Sequence, residues 1–374
     1  MHDLNFPVIT YDPNKSPFEW GAEHGEQYRE AIHELVEIRK GLMLNKNPAL
    51  ERHLPSLSKA QWEITKKFSL DLTKELEGIS HGAQISQEDV VILNNYTDFR
   101  DIQLPQEGCS TIHCQFDDYA LSGQTWDMHR SAKNYLCLIH VPKHKDYDDS
   151  LVLSLVGCSG LMGMSCKGRL IGVNNINTEN AKAGLIWPVL VRETLRGKSL
   201  SHMREVLLKA PVTSGHNYII STQEGGEHWE VTPEVASCAG EAKENKASSF
   251  HTNHCIAPEV KALEIQNSIN STTHQRYDLL KSKVSNVKNF DDLYSLLTDH
   301  DQYPKSICSH FESGAQDPSF TCGGGIIEIP RSSNSDYVKA RFWRGCPHEG
   351  DDYEQIDAVS DGEKWILQRI KSHL

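Results

Sequence analysis

The chain has 374 residues, a formal net charge of −13 and 38% hydrophobic residues. That is enough for one large domain or two ordinary ones, with a core that needs no staples. The acidic surplus is spread without a basic block, which argues against nucleic acid and anionic membrane surfaces as partners.

Residues 16–46 read as a helix opening at Ser16-Pro17, with Ile32, Leu35, Val36, Leu42 and Met43 recurring on one face. Gly21 and Gly25, four apart near its start, suit close helix packing. A second helix is expected from about Lys59 to Leu76, carrying Trp62, Ile64, Phe68 and Leu72, and broken by Gly78 and Gly82. Ser86 with Asp89 three residues on is a capping-box signal for a helix from Gln87 to about Asn95.

After residue 109 the pattern changes to short β-type runs: Ser110–Phe116, Ala120–Trp126, Leu136–Val141, Leu151–Val156 and Leu170–Asn177. Asp117-Asp118 marks a hairpin tip between the first two. Helices are expected at Trp187–Arg196, Ser201–Leu208, 272–284 and 290–298, and strands at Asn217–Thr222, Glu227–Thr232, Gly325–Ile329 and Tyr337–Trp343. Gly323-Gly-Gly325 reads equally as backbone N–H groups brought up to a ligand or as a tight loop before a strand, and no linker, repeat or low-complexity tract interrupts the order. From the pattern alone the fold is α+β or α/β, one domain over residues 1–374.

The start of the chain has no charged segment followed by an apolar core, and no apolar run approaches the roughly 18–20 residues of a membrane span. The ten cysteines are therefore expected to be reduced thiols of an intracellular protein. The compartment is cytoplasmic, or peroxisomal in a eukaryote if Ser372-His373-Leu374 is read as a C-terminal address.

The most informative local feature is Gly108-Cys109-Ser110-Thr111, followed on the second strand of the hairpin by Trp126-Asp127. If the chain cuts itself between Gly108 and Cys109, Cys109 becomes an N-terminus with a thiol of pKa about 8.5 and an α-amine of about 7.7–8.0, two groups matched for proton transfer. Nucleophile and base then sit on one residue.

Around this junction the sequence resembles the acyl-coenzyme A:6-aminopenicillanic-acid acyltransferase group of N-terminal-nucleophile hydrolases, which also includes β-alanyl amine hydrolases. The resemblance rests on an ordered set of blocks: Ser16-Pro-Phe-Glu-Trp-Gly-Ala-Glu-His-Gly25, Leu76-Glu-Gly-Ile-Ser-His-Gly82 and Val90-Val-Ile-Leu-Asn94 upstream. Downstream are Cys114-Gln115, Gly123-Gln-Thr-Trp-Asp127, His251-Thr-Asn-His-Cys255, His274-Gln-Arg276 and Tyr303-Pro-Lys-Ser-Ile-Cys308. It implies an α+β fold, a four-layer αββα sandwich, made as a precursor and self-cleaved into residues 1–108 and 109–374, which stay together as an internal heterodimer. It also implies attack on a small linear amide, with no metal and no cofactor.

On this resemblance Cys109 is the nucleophile, first on the Gly108 carbonyl and then on substrate. Asp127 orients the new α-ammonium, and Asn253 aims its NH₂ at the oxyanion. Arg276 is expected to be a structural ion-pair partner. His251, His254 and Cys255 raise the thought of zinc but lack a second paired set, so no metal is expected. Arg130, Tyr96 and Ser309 are carried as substrate contacts. The last two are departures: relatives of the penicillin enzyme have arginine after Ser-Ile-Cys and after Leu-Asn-x, where this chain has Ser309 and Tyr96. Neither residue copies arginine's bidentate hold on a carboxylate, which argues against a penicillin-like substrate. The expected activity is hydrolysis of an N-acyl or β-alanyl amide, with acyl transfer to an amine as the alternative and an uncleaved binding protein as the lesser one. A papain-like protease is disfavoured because a strand, not a helix, follows Cys109. Homo-oligomerisation stays open.

Overall fold

The computed structural model describes residues 5–100, 108–145, 147–265, 272–311, 319–331, 337–349 and 353–370. The segment before the junction holds strand β1 (Val8–Thr10) and helices α1 (Pro17–Gln27), α2 (Arg29–Lys46), α3 (Leu54–Phe68), α4 (Leu70–Ala83) and α5 (Gln87–Arg100). Ser16 caps α1 with Glu19 in a reciprocal box, the Ser16 N–H donating to the Glu19 carboxylate at 2.8 Å. Ser86 and Asp89 do the same for α5.

The helix expected over 16–46 is broken at Tyr28, whose backbone (φ −113°, ψ 23°) leaves the helical region. The second expected helix is also two. Its break is at Ser69, extended at φ −145° and ψ 104°, whose hydroxyl caps α4 by accepting from the Leu72 N–H. Gly78 and Gly82 break nothing: they lie inside α4 and let it cross α1 in backbone contact. A Cβ on Gly78 would stand 2.1 Å from the Phe18 carbonyl oxygen, one on Gly82 2.0 Å from that of Ala22, and one on Gly21 1.9 Å from that of Glu75.

Beyond the junction come β2 (Thr111–Gln115), β3 (Tyr119–His129), β4 (Leu136–Val141), β5 (Ser150–Leu155), β6 (Met162–Ser165), β7 (Arg169–Asn175), α6 (Trp187–Leu195), α7 (Leu200–Lys209), β8 (His216–Thr222), β9 (Gly225–Val231) and β10 (Ala236–Ala242). Then follow β11 (Ser248–His251), α8 (Pro258–Lys261), α9 (Thr273–Lys283), α10 (Phe290–Leu297), β12 (Ser319–Pro330), β13 (Val338–Arg344), β14 (Glu354–Ser360) and β15 (Trp365–Ile370). One sheet has eight strands in the order β1-β4-β5-β6-β7-β8-β9-β10, and the other seven in the order β11-β2-β3-β12-β13-β14-β15. Strands β2 and β3 face β7, β8 and β9; α6 and α7 cover the outer face of the first sheet, and α9 and α10 that of the second. The fold is therefore α+β, with two sheets between helical layers. Gly323–Gly325 lie within β12, not in a loop before it: a Cβ on Gly324 would stand 2.4 Å from the Gln124 carbonyl oxygen on β3.

Two of the hydrophobic clusters among the described residues support the layers. The larger joins the first sheet to the N-terminal helices. The smaller packs Leu280, Leu293 and Leu297 of α9 and α10 on Ile112, Leu121 and Ile326 of the second sheet. A buried polar network crosses the larger core. Arg192 on α6 donates through both terminal nitrogens to Glu75 on α4, each at 3.1 Å, and the Tyr11 hydroxyl donates to Glu75 at 3.0 Å. His24 accepts from the Gly157 N–H at 2.9 Å. A buried ion pair stabilises only when its remaining valences are satisfied, as here. The network ties residues before the junction to residues after it. Among the described residues, no helix is long and apolar enough to cross a membrane.

Candidate active site

The junction is buried where the two sheets meet. Ser110, next to Cys109, is paired with β3: its N–H donates to Thr125 Oγ1 and its carbonyl accepts from the Thr125 N–H, both at 2.9 Å. This pairing brings Cys109 alongside Trp126 and Asp127. A small cleft opens there, lined by Cys109, Asp127, Asn175, Trp187, His216 and Asn253 among others. The structure thus brings Cys109, Asp127 and Asn253 together from sequence positions far apart.

Three side chains hold Cys109 by its backbone. Its N–H donates to Asn253 Oδ1 at 2.8 Å. Its carbonyl accepts from Asn174 Nδ2 at 2.9 Å and from Arg276 Nη1 at 2.8 Å. Asn174 is set in turn by the Thr111 hydroxyl and the Asn217 amide, each donating to its Oδ1 at 2.7 Å. Asn253 faces Cys109 through its oxygen, not through the NH₂ that an oxyanion role would use. Its NH₂ donates to the Asn175 carbonyl at 2.9 Å, and Arg276 Nη2 donates to the same Oδ1 at 2.9 Å.

Arg276 is the residue the sequence reading undervalued. Expected as an ion-pair partner, it instead donates to Cys109 O, Asn253 Oδ1, the Ser110 hydroxyl at 3.0 Å and, through Nε, the Thr272 hydroxyl at 3.0 Å. Burial pushes its pKa down, while the negative charges of Asp127 and Cys109 oppose that shift. A guanidinium remains charged under such a shift, so a cation is built in beside the Cys109 carbonyl. The only sequence signal was the His-Gln-Arg block, which spacing alone could not connect to Cys109.

Asp127 accepts from the Thr321 hydroxyl at 2.7 Å, and Thr321 Oγ1 accepts from the Ser309 N–H at 2.8 Å. Ser309 therefore stands behind Asp127 instead of lining the cleft. Tyr96 is buried on α5, edge-on to His129 and under the Arg39 guanidinium, 5.0 Å from its ring centre. Arg130 is exposed just past β3, its guanidinium 5.5 Å from the Phe320 ring centre. Among the described residues lining the cleft, Thr97, Trp187 and His216 take the wall places that the sequence reading gave to Tyr96, Ser309 and Arg130. Burial holds His216 neutral by lowering its pKa to about 4.

His251, His254 and Cys255 point to separate partners. His251 Nε2 meets Glu230 at 2.7 Å, His254 Nδ1 meets the Thr273 hydroxyl at 3.0 Å, and the Cys255 N–H donates to Glu264 at 2.7 Å. Ser372-His373-Leu374 lie outside the described residues.

A sequence model of the acyl-coenzyme A:6-aminopenicillanic acid acyl-transferase family matches residues 114–317, a span that contains Asp127, Asn253 and Arg276. The chain belongs to this family, whose description is that of an acyl-transferring enzyme. It is similar to the 40 kDa form of acyl-coenzyme A:6-aminopenicillanic-acid-acyltransferase from Emericella nidulans, 25% identical over 312 residues, covering 80% of this chain and 84% of that one. Among solved structures, it is similar to the Caenorhabditis elegans ortholog of N-acylethanolamine-hydrolyzing acid amidase, at 12% identity and a TM-score of 0.42. That match covers 61% of this chain and 95% of the other.

Proposed function

We propose that the chain is a self-processing cysteine amidase that cuts itself between Gly108 and Cys109 and then hydrolyses a small linear amide through an acyl-enzyme on Cys109. The observation that carries this reading is the hold on the junction. Buried Asn174, Asn253 and Arg276 fix the backbone of Cys109 in the cleft where Asp127 stands.

In maturation the Cys109 sulfur attacks the Gly108 carbonyl carbon. The C–S bond forms, the C–N bond breaks and the proton goes to the Cys109 nitrogen. Water then hydrolyses the thioester, leaving a Gly108 carboxylate and a free Cys109 amine. In turnover the same sulfur attacks the substrate carbonyl, the α-amine takes the thiol proton and delivers it to the leaving amine, and water releases the acid. Asn253 Oδ1, which accepts from the Cys109 N–H before the cut, is placed to accept from the ammonium after it, with Asp127 supplying the opposite charge. The two chains are expected to stay together, because the Arg192–Glu75 pair and the hydrogen bond from Gly157 to His24 cross the cut.

The acceptor decides between amidase and acyltransferase, since an amine that displaces water at the acyl-enzyme uses the same residues. The intact mass of freshly purified protein under denaturing conditions tests the reading. Two chains, Met1–Gly108 and Cys109–Leu374, are expected from wild type, and a single uncut, inactive chain from Cys109→Ala. A cleaved, active Cys109→Ala protein overturns it.

A further inference from the structure

His300, Cys308, His310 and Cys346 converge from the loop after α10 and the turn after β13, each offering one ligand atom, and these atoms all lie within 4.8 Å of one another. His300 Nε2 is 3.2 Å from His310 Nε2 and 3.2 Å from Cys346 Sγ, and Cys308 Sγ is 3.7 Å from His310 Nε2. A tetrahedral zinc ion with Zn–N of about 2.0–2.1 Å and Zn–S of about 2.3 Å sets its ligand atoms about 3.3 Å apart for N–N, 3.6 Å for N–S and 3.8 Å for S–S. The three distances above are close to those values, and the remaining pairs lie within 4.8 Å.

Its surroundings fit the same ion. The other ring nitrogen of His310, Nδ1, lies 2.9 Å from the Glu349 carboxylate, the carboxylate–histidine arrangement that orients a metal-bound imidazole. The His348 N–H donates to Cys346 Sγ at 3.4 Å, as a backbone amide does to a thiolate. Backbone bonds shape the ligand loop, from the Cys308 N–H to the Asp299 carbonyl at 3.1 Å and from the His310 N–H to the Pro304 carbonyl at 2.9 Å. Both cysteines are fully buried. Two thiolates and two neutral imidazoles cancel the charge of a divalent zinc ion, so the completed site can stay buried.

We propose that His300, Cys308, His310 and Cys346 bind one structural zinc ion, contrary to the expectation of no metal drawn from His251, His254 and Cys255. Binding releases the two thiol protons to solvent and forms two Zn–S and two Zn–N bonds, with no change of oxidation state. Four protein ligands leave no open position, so the ion staples the loop after α10 to the turn after β13. That loop carries Ser309 between two ligands, and the Ser309 N–H braces Thr321, which donates to Asp127. This last consequence rests on the amidase reading; the zinc site does not.

Elemental analysis of the purified full-length protein tests the site independently of cleavage or activity. One zinc per chain is expected in wild type and in Cys238→Ser, whose cysteine is exposed, with zinc lost from Cys308→Ser and Cys346→Ser. Should those variants fail to fold, chelator-stripped wild type titrated with Co²⁺ is expected to develop a thiolate-to-cobalt charge-transfer band and tetrahedral visible bands, saturating at one equivalent. Substoichiometric zinc with no cobalt band, zinc retained by both variants, or a Cys308–Cys346 disulfide in the freshly isolated protein each overturns the proposal.

Discussion

Arg276 fills the space that any side chain on residue 108 would need: a Cβ on Gly108 would stand 2.2 Å from Arg276 Nη2 and 2.7 Å from its Cζ. The arginine cannot simply swing aside, because it is buried and committed to Cys109, Ser110, Asn253 and Thr272. Glycine before Cys109 is thus a packing requirement of this cation.

Gly108→Ala is therefore expected to displace the guanidinium and slow self-cleavage. A hydrogen bond from a charged donor contributes about 1.5–3 kcal/mol, so the slowing is about tenfold to a hundredfold. A time course of intact masses after synthesis measures it. Cutting at the wild-type rate would mean that Arg276 plays no part in presenting the junction.

Asn253 offers an oxygen to Cys109 and keeps its NH₂ for Asn175. Asn253→Asp retains that oxygen beside Arg276, whereas Asn253→Leu removes it. Maturation of Asn253→Asp is expected within about tenfold of wild type, and that of Asn253→Leu slower by about a hundredfold or more. Equal failure of both would return the weight to the NH₂ group. The same mass assay separates the two.

Acid is expected to destabilise the fold through its buried histidines. Burial, aided in His24 by Arg192, lowers His24 and His254 to about 3, and His113 and His216 to about 4. In the unfolded chain each takes a proton near pH 6.5. Between that pH and about 4 the unfolded state binds more protons, so stability is full above pH 6.5 and falls as pH drops. Each histidine contributes up to about 1.4 kcal/mol per pH unit. Denaturant melts at a series of pH values check this; a flat stability from pH 6.5 to 4 would contradict neutral burial.

Helix crossing gives a sharper contrast. In Gly78→Ala the new Cβ meets the backbone of α1, at 2.1 Å from Phe18 O and 2.7 Å from Ala22 N, while one on Gly41 meets nothing within 4 Å. Gly78→Ala is expected to cost about 3 kcal/mol or more. Gly41→Ala, inside α2, is expected to stabilise by about 0.4–1 kcal/mol. Thermal melts of the two variants should move in opposite directions.

What the sequence determined by itself was local. Ser16-Pro17 and Ser86 with Asp89 announce their helices because helix-start signals need only near neighbours. Leu136–Val141 and the Asp117-Asp118 tip are legible because strand alternation and turn chemistry need only near neighbours. Cys109, Asp127 and Asn253 stood out through the resemblance, not through any periodicity. The tertiary structure decided the rest. Gly78 and Gly82 look like helix breakers until α1 lies against them, and Gly323–Gly325 look like a loop until β3 and β13 close on either side. Arg276 has no local mark of its place beside Cys109, and nothing in the spacing joins Cys346 to His300, Cys308 and His310. Each of these depends on a contact between distant segments, and the free energy that selects it comes from burying and satisfying groups that meet only once the two sheets have packed.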